Sequence, residues 1–311
     1  MKKSIWLVSP YEDVPNRGQR KYRWELLAAE LTSRGYTVTC WISCFSHVLK
    51  KAQATPWEQI SVSPSLRVRF IPSSAYKSNS GFSRAVSEAV FARNFLRAAS
   101  CELKPDCIVC KEPPAVVGCA VRRVSRKLGA KYIIDVVDLW PELFSLLLPK
   151  WATRIAPVVF YPVRLLRSHA LRGAAGVVAL ASRNLEPSFC LARSESRPKM
   201  TKVIYNGLVL EEFRDLLRRE SPLLAEVREF CGTGNFVAVY CGTLGQNYDI
   251  ETLLDAVTVL GERNTSLRFI IAGSGPHEDR VSEVARDHPK TLKFLGRISY
   301  SDLVPPLRRF S

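Results

Sequence analysis

The chain has 311 residues, 47% of them hydrophobic, and carries 45 Lys and Arg against 29 Asp and Glu, a net charge of +16 at pH 7. It is long and apolar enough for two α/β domains with separate cores, which excludes a disordered or fibrous protein. The positive excess predicts attraction to anions, whether phosphorylated substrates, anionic lipid or nucleic acid, without choosing among them.

Strands are expected at 5–9, 37–43, 66–71, 106–110, 131–137 and 174–180. They alternate with helices at 19–34, 83–99, 115–128 and 152–171. The first helix shows Trp24, Leu27, Ala28 and Leu31 on one face and stops at Gly35; Pro157 and Pro162 are expected to split the last. The stretch 186–200 turns polar, with Pro187 and Pro198. It is read as a linker between a domain at 1–185 and a second at 201–311. The second series has a strand at 203–205, the turn Asn206-Gly207 and a buried strand at 236–240. A helix from Asp249, a strand at 267–272, a helix from His277, a strand at 292–295 and a helix to Arg308 complete it. Strand–helix alternation with doubly apolar strands predicts parallel sheets covered by helices, with ligands beyond the strands' C-terminal ends. In the first domain those ends are Ser9-Pro10, Cys110-Lys111-Glu112, Val137-Asp138 and Ala181-Ser182.

Met1-Lys2-Lys3 resembles the start of a secretory leader, but the apolar run at 5–8 is short and Pro10 follows, so no leader is expected. The apolar run at 155–163, between Arg154 and Arg164, is too short to span a bilayer. Nine cysteines, an odd number, suit reduced thiols in a cytoplasmic protein. Cys107-Ile108-Val109-Cys110 lies in a strand without a second such pair, and His47, His169, His277 and His288 show no ligand spacing, so no metal is expected.

Three successive strands of the second series end in glycine turns: Gly242-Thr243-Leu244-Gly245, Gly273-Ser274-Gly275-Pro276 and Gly296-Arg297-Ile298. The first leads into a helix with Ile250, Leu253, Leu254, Val257 and Leu260 at helical spacing. A glycine turn between strand and helix can present free N–H groups and the positive helix end to a phosphate. Any one of these turns is also an ordinary strand-to-helix connection; three on one sheet edge converge on a single crevice.

In order and spacing, the sequence resembles the family 4 glycosyltransferases. The carriers are Val203-Ile204-Tyr205-Asn206-Gly207 with Phe213, Tyr240-Cys241-Gly242-Thr243-Leu244 with Ile250-Glu251-Thr252-Leu253-Leu254-Asp255-Ala256, Phe269-Ile270-Ile271-Ala272-Gly273-Ser274-Gly275-Pro276, and Phe294-Leu295-Gly296-Arg297-Ile298. The first domain is similar to a bacterial subgroup through Phe45-Ser46-His47, Tyr76-Lys77-Ser78-Asn79 with Arg84, Glu112-Pro113-Pro114 and, above all, the stretch from Asp135 through Asp138 to Leu139-Trp140-Pro141-Glu142. The resemblance implies an α/β protein of GT-B type: two Rossmann-like domains with parallel sheets, the second incomplete. It implies retaining transfer from a nucleotide diphosphate sugar without metal or other cofactor. The donor would lie against Gly242, Thr243, Gly245, Gly273, Gly275, Arg297 and Ile298. The acceptor, a glycan or polyprenyl-linked glycan, would lie on the first domain near Asp138 and Glu112. Arg17, Gly18 and Asn206 would serve phosphate or acceptor.

Two departures stand against this. The family's Arg after the first strand glycine and its Lys five residues on are replaced by Thr243 and Tyr248. Its paired-glutamate segment would follow Arg309, so the second domain reads as about half of an ordinary one. The alternative is therefore a truncated, inactive member that binds a ligand or partner at most. A sugar-nucleotide epimerase of the same fold also stays open, whereas no nucleic-acid-binding signature accompanies the charge.

Read from the residues alone, Asp138 can orient or deprotonate an acceptor hydroxyl, or cap a helix before Leu139. Arg17 and Arg20 can meet phosphate or be solvated, Glu112 can touch acceptor or be a loop carboxylate, and His47 can contact substrate or be a surface-loop histidine. Asn206 suits a turn. The segment 150–172 interleaves Lys150, Arg154, Arg164, Arg167 and Arg172 with Trp151, Phe160 and Tyr161. It suits the anionic inner face of a cell membrane or, equally, a core helix with a solvated basic side.

Overall fold

The computed structural model describes residues 2–14, 21–78, 81–142, 152–185, 198, 200–245, 248–263 and 266–307. The chain forms two compact units, the first running to Gly207 and the second from Leu208.

The first unit is built on an eight-stranded sheet. In chain order it comprises β1 (Ser4–Val8), α1 (Arg23–Ser33), β2 (Thr37–Ser43), β3 (Gln59–Ser63), β4 (Leu66–Ile71), α2 (Phe82–Ala99), β5 (Cys107–Glu112), α3 (Ala115–Leu128) and β6 (Lys131–Val136). A short 3-10 turn, α4 (Ala156–Val159), α5 (Tyr161–Leu171), β7 (Gly176–Ala179) and β8 (Met200–Val203) follow. The strand order is β3-β4-β2-β1-β5-β6-β7-β8, parallel throughout except for the β3–β4 pair. Strand alternation explains the layering. Trp6 and Val8 enter the core with Trp41, Phe91, Phe95 and Val121, under α2 and α3. Leu7, between them, faces the other core with Trp24, Val38, Ile42 and Phe70, under α1. Cys107 and Cys110 are free thiols, three apart on a strand and so on opposite faces.

Three sequence expectations change here. The polar stretch at 59–63 forms β3, an antiparallel edge strand whose residues are exposed or half-buried. Only its two alternate residues Ile60 and Val62 turn inward, half-buried against the core under α1. The strand expected to open the second domain at 203–205 lies earlier, at Met200–Val203, and pairs in parallel with β7, completing the first sheet. Asn206 follows it in extended, exposed chain rather than in a turn. The 152–171 helix breaks at both prolines as expected, but Arg167 is buried rather than part of a solvated basic face.

The second unit contains α6 (Leu210–Arg218), α7 (Pro222–Cys231), β9 (Phe236–Cys241), α8 (Ile250–Glu262), β10 (Leu267–Ala272), α9 (Glu278–Asp287), β11 (Leu292–Phe294) and α10 (Tyr300–Leu307). Its sheet is β11-β10-β9, all parallel. One face is covered through Leu244, Ile250, Leu254, Val257, Phe269, Val281 and Val284, the other through Val227, Cys231 and Ile270. β9 was expected to be buried. At the end of the described sheet it is half-buried, and Phe236 is 71% exposed.

The glycine turns are locked by contact. A Cβ on Gly273 would stand 1.8 Å from the Gly242 carbonyl oxygen, and one on Gly275 would stand 2.4 Å from that of Leu244. Backbone cannot yield there as a flexible side chain can. Gly273→Ala should destabilise the second unit by about 2–3 kcal/mol. Amide hydrogen exchange would show protection falling in β9–β11 with β1, β2 and β5 unchanged; equal loss in both units, or none, would contradict the contact.

Candidate active site

Parallel strands bring their C-terminal ends to one edge of each sheet, and the candidate residues gather there. In the first unit, Glu112 is the last residue of β5 and is 1% exposed. The expectation of a plain loop carboxylate is thus corrected: the strand carries its side chain into the interior. Arg167 of α5, 2% exposed, donates to Glu112 Oε1 over 3.3 Å and to Glu142 Oε2 over 3.0 Å. Arg164 approaches Glu142 at 3.4 Å. Glu112 Oε2 and Arg167 Nη2 have no hydrogen-bond partner among the described residues. Burial pushes the Glu112 carboxyl up to about 7, opposed by Arg167 and assisted by the like charges of Glu142 and Asp138.

Asp138 is exposed at the bend after β6, adjacent to Glu112 through the Val137 N–H bond to the Glu112 carbonyl (2.9 Å). Its own carbonyl accepts from Trp140 N–H, and its side chain makes no hydrogen bond among the described residues, so no helix cap is seen. Exposed and unbonded, it is accessible to a ligand. Arg17, Gly18 and Arg20 lie outside the described residues.

A second cluster forms at the ends of β1 and β2. Tyr11 hydrogen-bonds Glu88, and Arg84 Nη2 donates to Tyr11 Oη (2.8 Å) while its Nε donates to Glu88 (2.9 Å). The Arg84 guanidinium also stacks on Trp140, 4.3 Å from the ring centroid. His47 is not a free surface histidine: it shares a 2.5 Å hydrogen bond with Tyr76 and packs against Tyr11. Burial, then Lys50, Arg84 and Lys111, lower its pKa to about 4, so the ring is neutral at pH 7. Lys111 reaches Glu12 at 2.6 Å. Arg23 grips Asp135 with two bonds of 2.8 and 2.9 Å and donates to the Ile204 carbonyl (2.6 Å), tying α1 to β6 and to the chain after β8.

Sequence reasoning missed Tyr11, Arg23 and Arg167 as site residues. Tyr11 was legible from its place just past β1. Arg167 sits on the buried stripe of α5 with Ala170 and Leu171, and an arginine there signals a buried ion pair.

In the second unit the turns knit together. Gly242 N–H donates to Ala272, Leu244 N–H to Ser274, Gly273 N–H to Gly296 and His277 N–H to Leu244. Gly242, Thr243, Gly245, Gly273 and Gly275 are therefore one surface, with Arg297 exposed and Ile298 half-buried beside Gly296. The N–H groups of Thr243, Gly245, Ser274 and Gly275 make no hydrogen bond among the described residues. At the N-terminus of α8, Asp249 caps the helix by accepting from Thr252 N–H (3.3 Å). Tyr248 is 54% exposed beside Gly245.

The fold is that of the GT-B glycosyltransferases. Among solved structures, the chain superposes on sucrose-phosphate synthase from Thermosynechococcus elongatus with a TM-score of 0.67 at 15% identity, over 98% of this chain and 73% of that one. Alpha,alpha-trehalose 6-phosphate synthase from Burkholderia multivorans gives 0.60 at 10%, over 100% and 75%. Anabaena Alr3699/HepE in complex with UDP-glucose gives 0.53 at 15%, over 95% and 69%. No protein-family profile matches the chain, and no curated protein matches its sequence.

The raised Glu112 pKa fixes a pH dependence. Between about 4.5 and about 7 the folded chain holds a proton that the unfolded chain has released, so this group's stabilisation falls as pH rises through that window. Glu112→Gln, which keeps the shape of the protonated acid, should flatten the fall. Urea unfolding midpoints at pH 5 and pH 7.5 test this; identical slopes in both proteins would refute the assignment.

Proposed function

We propose that this chain transfers a sugar from a nucleotide diphosphate sugar to a glycan acceptor with retention, in the manner of the family 4 enzymes its motifs resemble. The observation that carries the reading is the joined surface of three glycine turns on a parallel sheet edge, with N–H groups left over, in a GT-B fold. A departing nucleoside diphosphate gathers negative charge, and fixed N–H dipoles absorb it without reorganisation. That the similar HepE structure holds UDP-glucose supports such a donor. On this reading Thr243 and Gly275 face the phosphates, Arg297 and Ile298 the base, and no metal is required.

The acceptor belongs to the first unit. Asp138 orients or deprotonates its hydroxyl, and Glu112, held by Arg167, fixes the end of the neighbouring strand. A lipid-linked acceptor is favoured by α4 and α5, where Val158 is 75%, Val159 59% and Leu165 46% exposed, near the exposed Arg154 and Arg172. Apolar side chains flanked by cations suit the surface of an anionic membrane, which supports a peripheral position on its cytoplasmic face. No described helix is long and apolar enough to cross a membrane. A second reading, binding without catalysis, draws on Thr243 and the exposed Tyr248 standing where the resembled family keeps two cations.

Binding of UDP, GDP and ADP to the full chain, followed by thermal shift at two salt concentrations, tests the donor site. One base should raise stability by about 2.7 kcal/mol at a hundredfold excess over its dissociation constant. The Asp138→Asn variant should keep that shift and lose transfer by about a hundredfold or more, the usual range for a lost general base. Wild-type transfer rates in the variant would remove Asp138 from the mechanism. No shift with any nucleotide would favour the binding-only reading.

A further inference from the structure

The helical layer of the first unit carries a groove that the transfer reaction leaves unused. It has a volume of about 840 Å³, within the range of small-molecule sites, and lies between α2 and α3 with α5 at one end. Ala89, Ala92, Leu96, Val116 and Ala120 contribute apolar surface, mostly small side chains that leave room between the helices. Its charged lining is entirely basic: Arg93, Arg122, Arg123, Arg126 and Lys127, with His169 beside them. None of the five cations has a carboxylate partner in an ion pair among the described residues. Other cations of this unit are matched, as in Arg167 with Glu112, Arg84 with Glu88 and Lys111 with Glu12.

The groove is partly pre-arranged. Arg122 Nε donates to the Arg172 carbonyl (2.8 Å), and its Nη1 bonds His169 Nε2 (2.7 Å), which must accept and so be the unprotonated nitrogen. Burial, then the charges of Arg122, Arg172 and Arg126, favour the neutral ring. The groove is also apart from the strand-end region. α3 starts three residues after Glu112 and runs away from it, so Arg122 and Arg126 lie about 10–17 Å down the helix.

We propose that this groove binds a phosphate ester, its phosphate against Arg122 and Arg126 and any apolar body along the Ala–Leu–Val surface. Closely placed cations attract an anion more strongly than scattered ones, because their potentials add over one concave surface. The phosphate can be free or carried on a lipid chain, and the probes below separate the two. The proposal does not depend on the glycosyl-transfer reading.

Full-length chain would be titrated by calorimetry with n-octyl phosphate, inorganic phosphate and n-octanol, all below any micelle concentration. Octyl phosphate should bind, and Arg122→Gln with Arg126→Gln should weaken it about tenfold or more, the effect of one lost charged hydrogen bond. Removing equal charge elsewhere, by Arg67→Gln with Arg263→Gln, should change it about twofold at most, as for screened surface charge. Arg123→Gln with Lys127→Gln, at exposed positions that cannot disturb the Arg172 anchor, should also weaken it by about threefold.

Inorganic phosphate binding as tightly as octyl phosphate would assign a free phosphate ligand. Octyl phosphate binding about tenfold tighter would assign a lipid-borne one, since a few buried methylenes suffice for that. The proposal is overturned if both groove pairs bind like wild type, if the control pair loses as much as the groove pairs, or if octanol binds as well as octyl phosphate.

Discussion

The strand-end region of the first unit depends on one buried guanidinium. Arg167 reaches Glu112 at the end of β5 and Glu142 beyond the end of β6, and so joins α5 to the edge where candidate residues collect. Taking a cation and two carboxylates out of water costs several kcal/mol per ion unless geometry and hydrogen bonds offset it. Burial of the Glu112 carboxyl outweighs the pull of Arg167, and the balance appears as the raised pKa of Glu112. Removing Arg167 would take from Glu112 the cation it pairs with among the described residues, so the cluster ties α5 to the end of β5.

A steric constraint plays the equivalent part in the second unit. Gly273 and Gly275 bring backbones closer than any Cβ permits, and the turns then exchange N–H bonds across the sheet edge. Some N–H groups are consumed in building the surface, and those of Thr243, Gly245, Ser274 and Gly275 remain. The spare donors that suit the site to phosphate are therefore a product of turn packing, beside an α8 terminus at which Asp249 accepts from Thr252 N–H.

The charge of the chain is unevenly used. Around the strand ends of the first unit, cations face carboxylates or aromatic rings, as with Arg84 on Tyr11 and Trp140. Along α2 and α3 they face one another across an apolar floor. A single net charge of +16 thus covers two physical situations: paired cations that organise structure, and unpaired ones that leave field for a ligand.

Hydrophobic periodicity alone determined most elements: the sequence reading of α3 and of β10 matches the structure residue for residue, and strand-to-helix alternation determined the parallel sheets. The motif glycines were also legible, because only glycine can stand where backbones nearly touch. What tertiary structure decided was partnership. β8 joined the first sheet because an unpaired strand edge beside β7 was available to it, which its polar sequence does not advertise. β3 escaped notice because its alternation is short, only Ile60 and Val62 between polar residues. Arg167, Arg23 and Glu112 read as ordinary charges until helices and strands far apart in sequence brought Glu142, Asp135 and each other's neighbourhoods into reach. Local pattern fixes what a segment must bury; only the packed chain fixes which charge meets which, because ion pairs form across separations that no short-range pattern records.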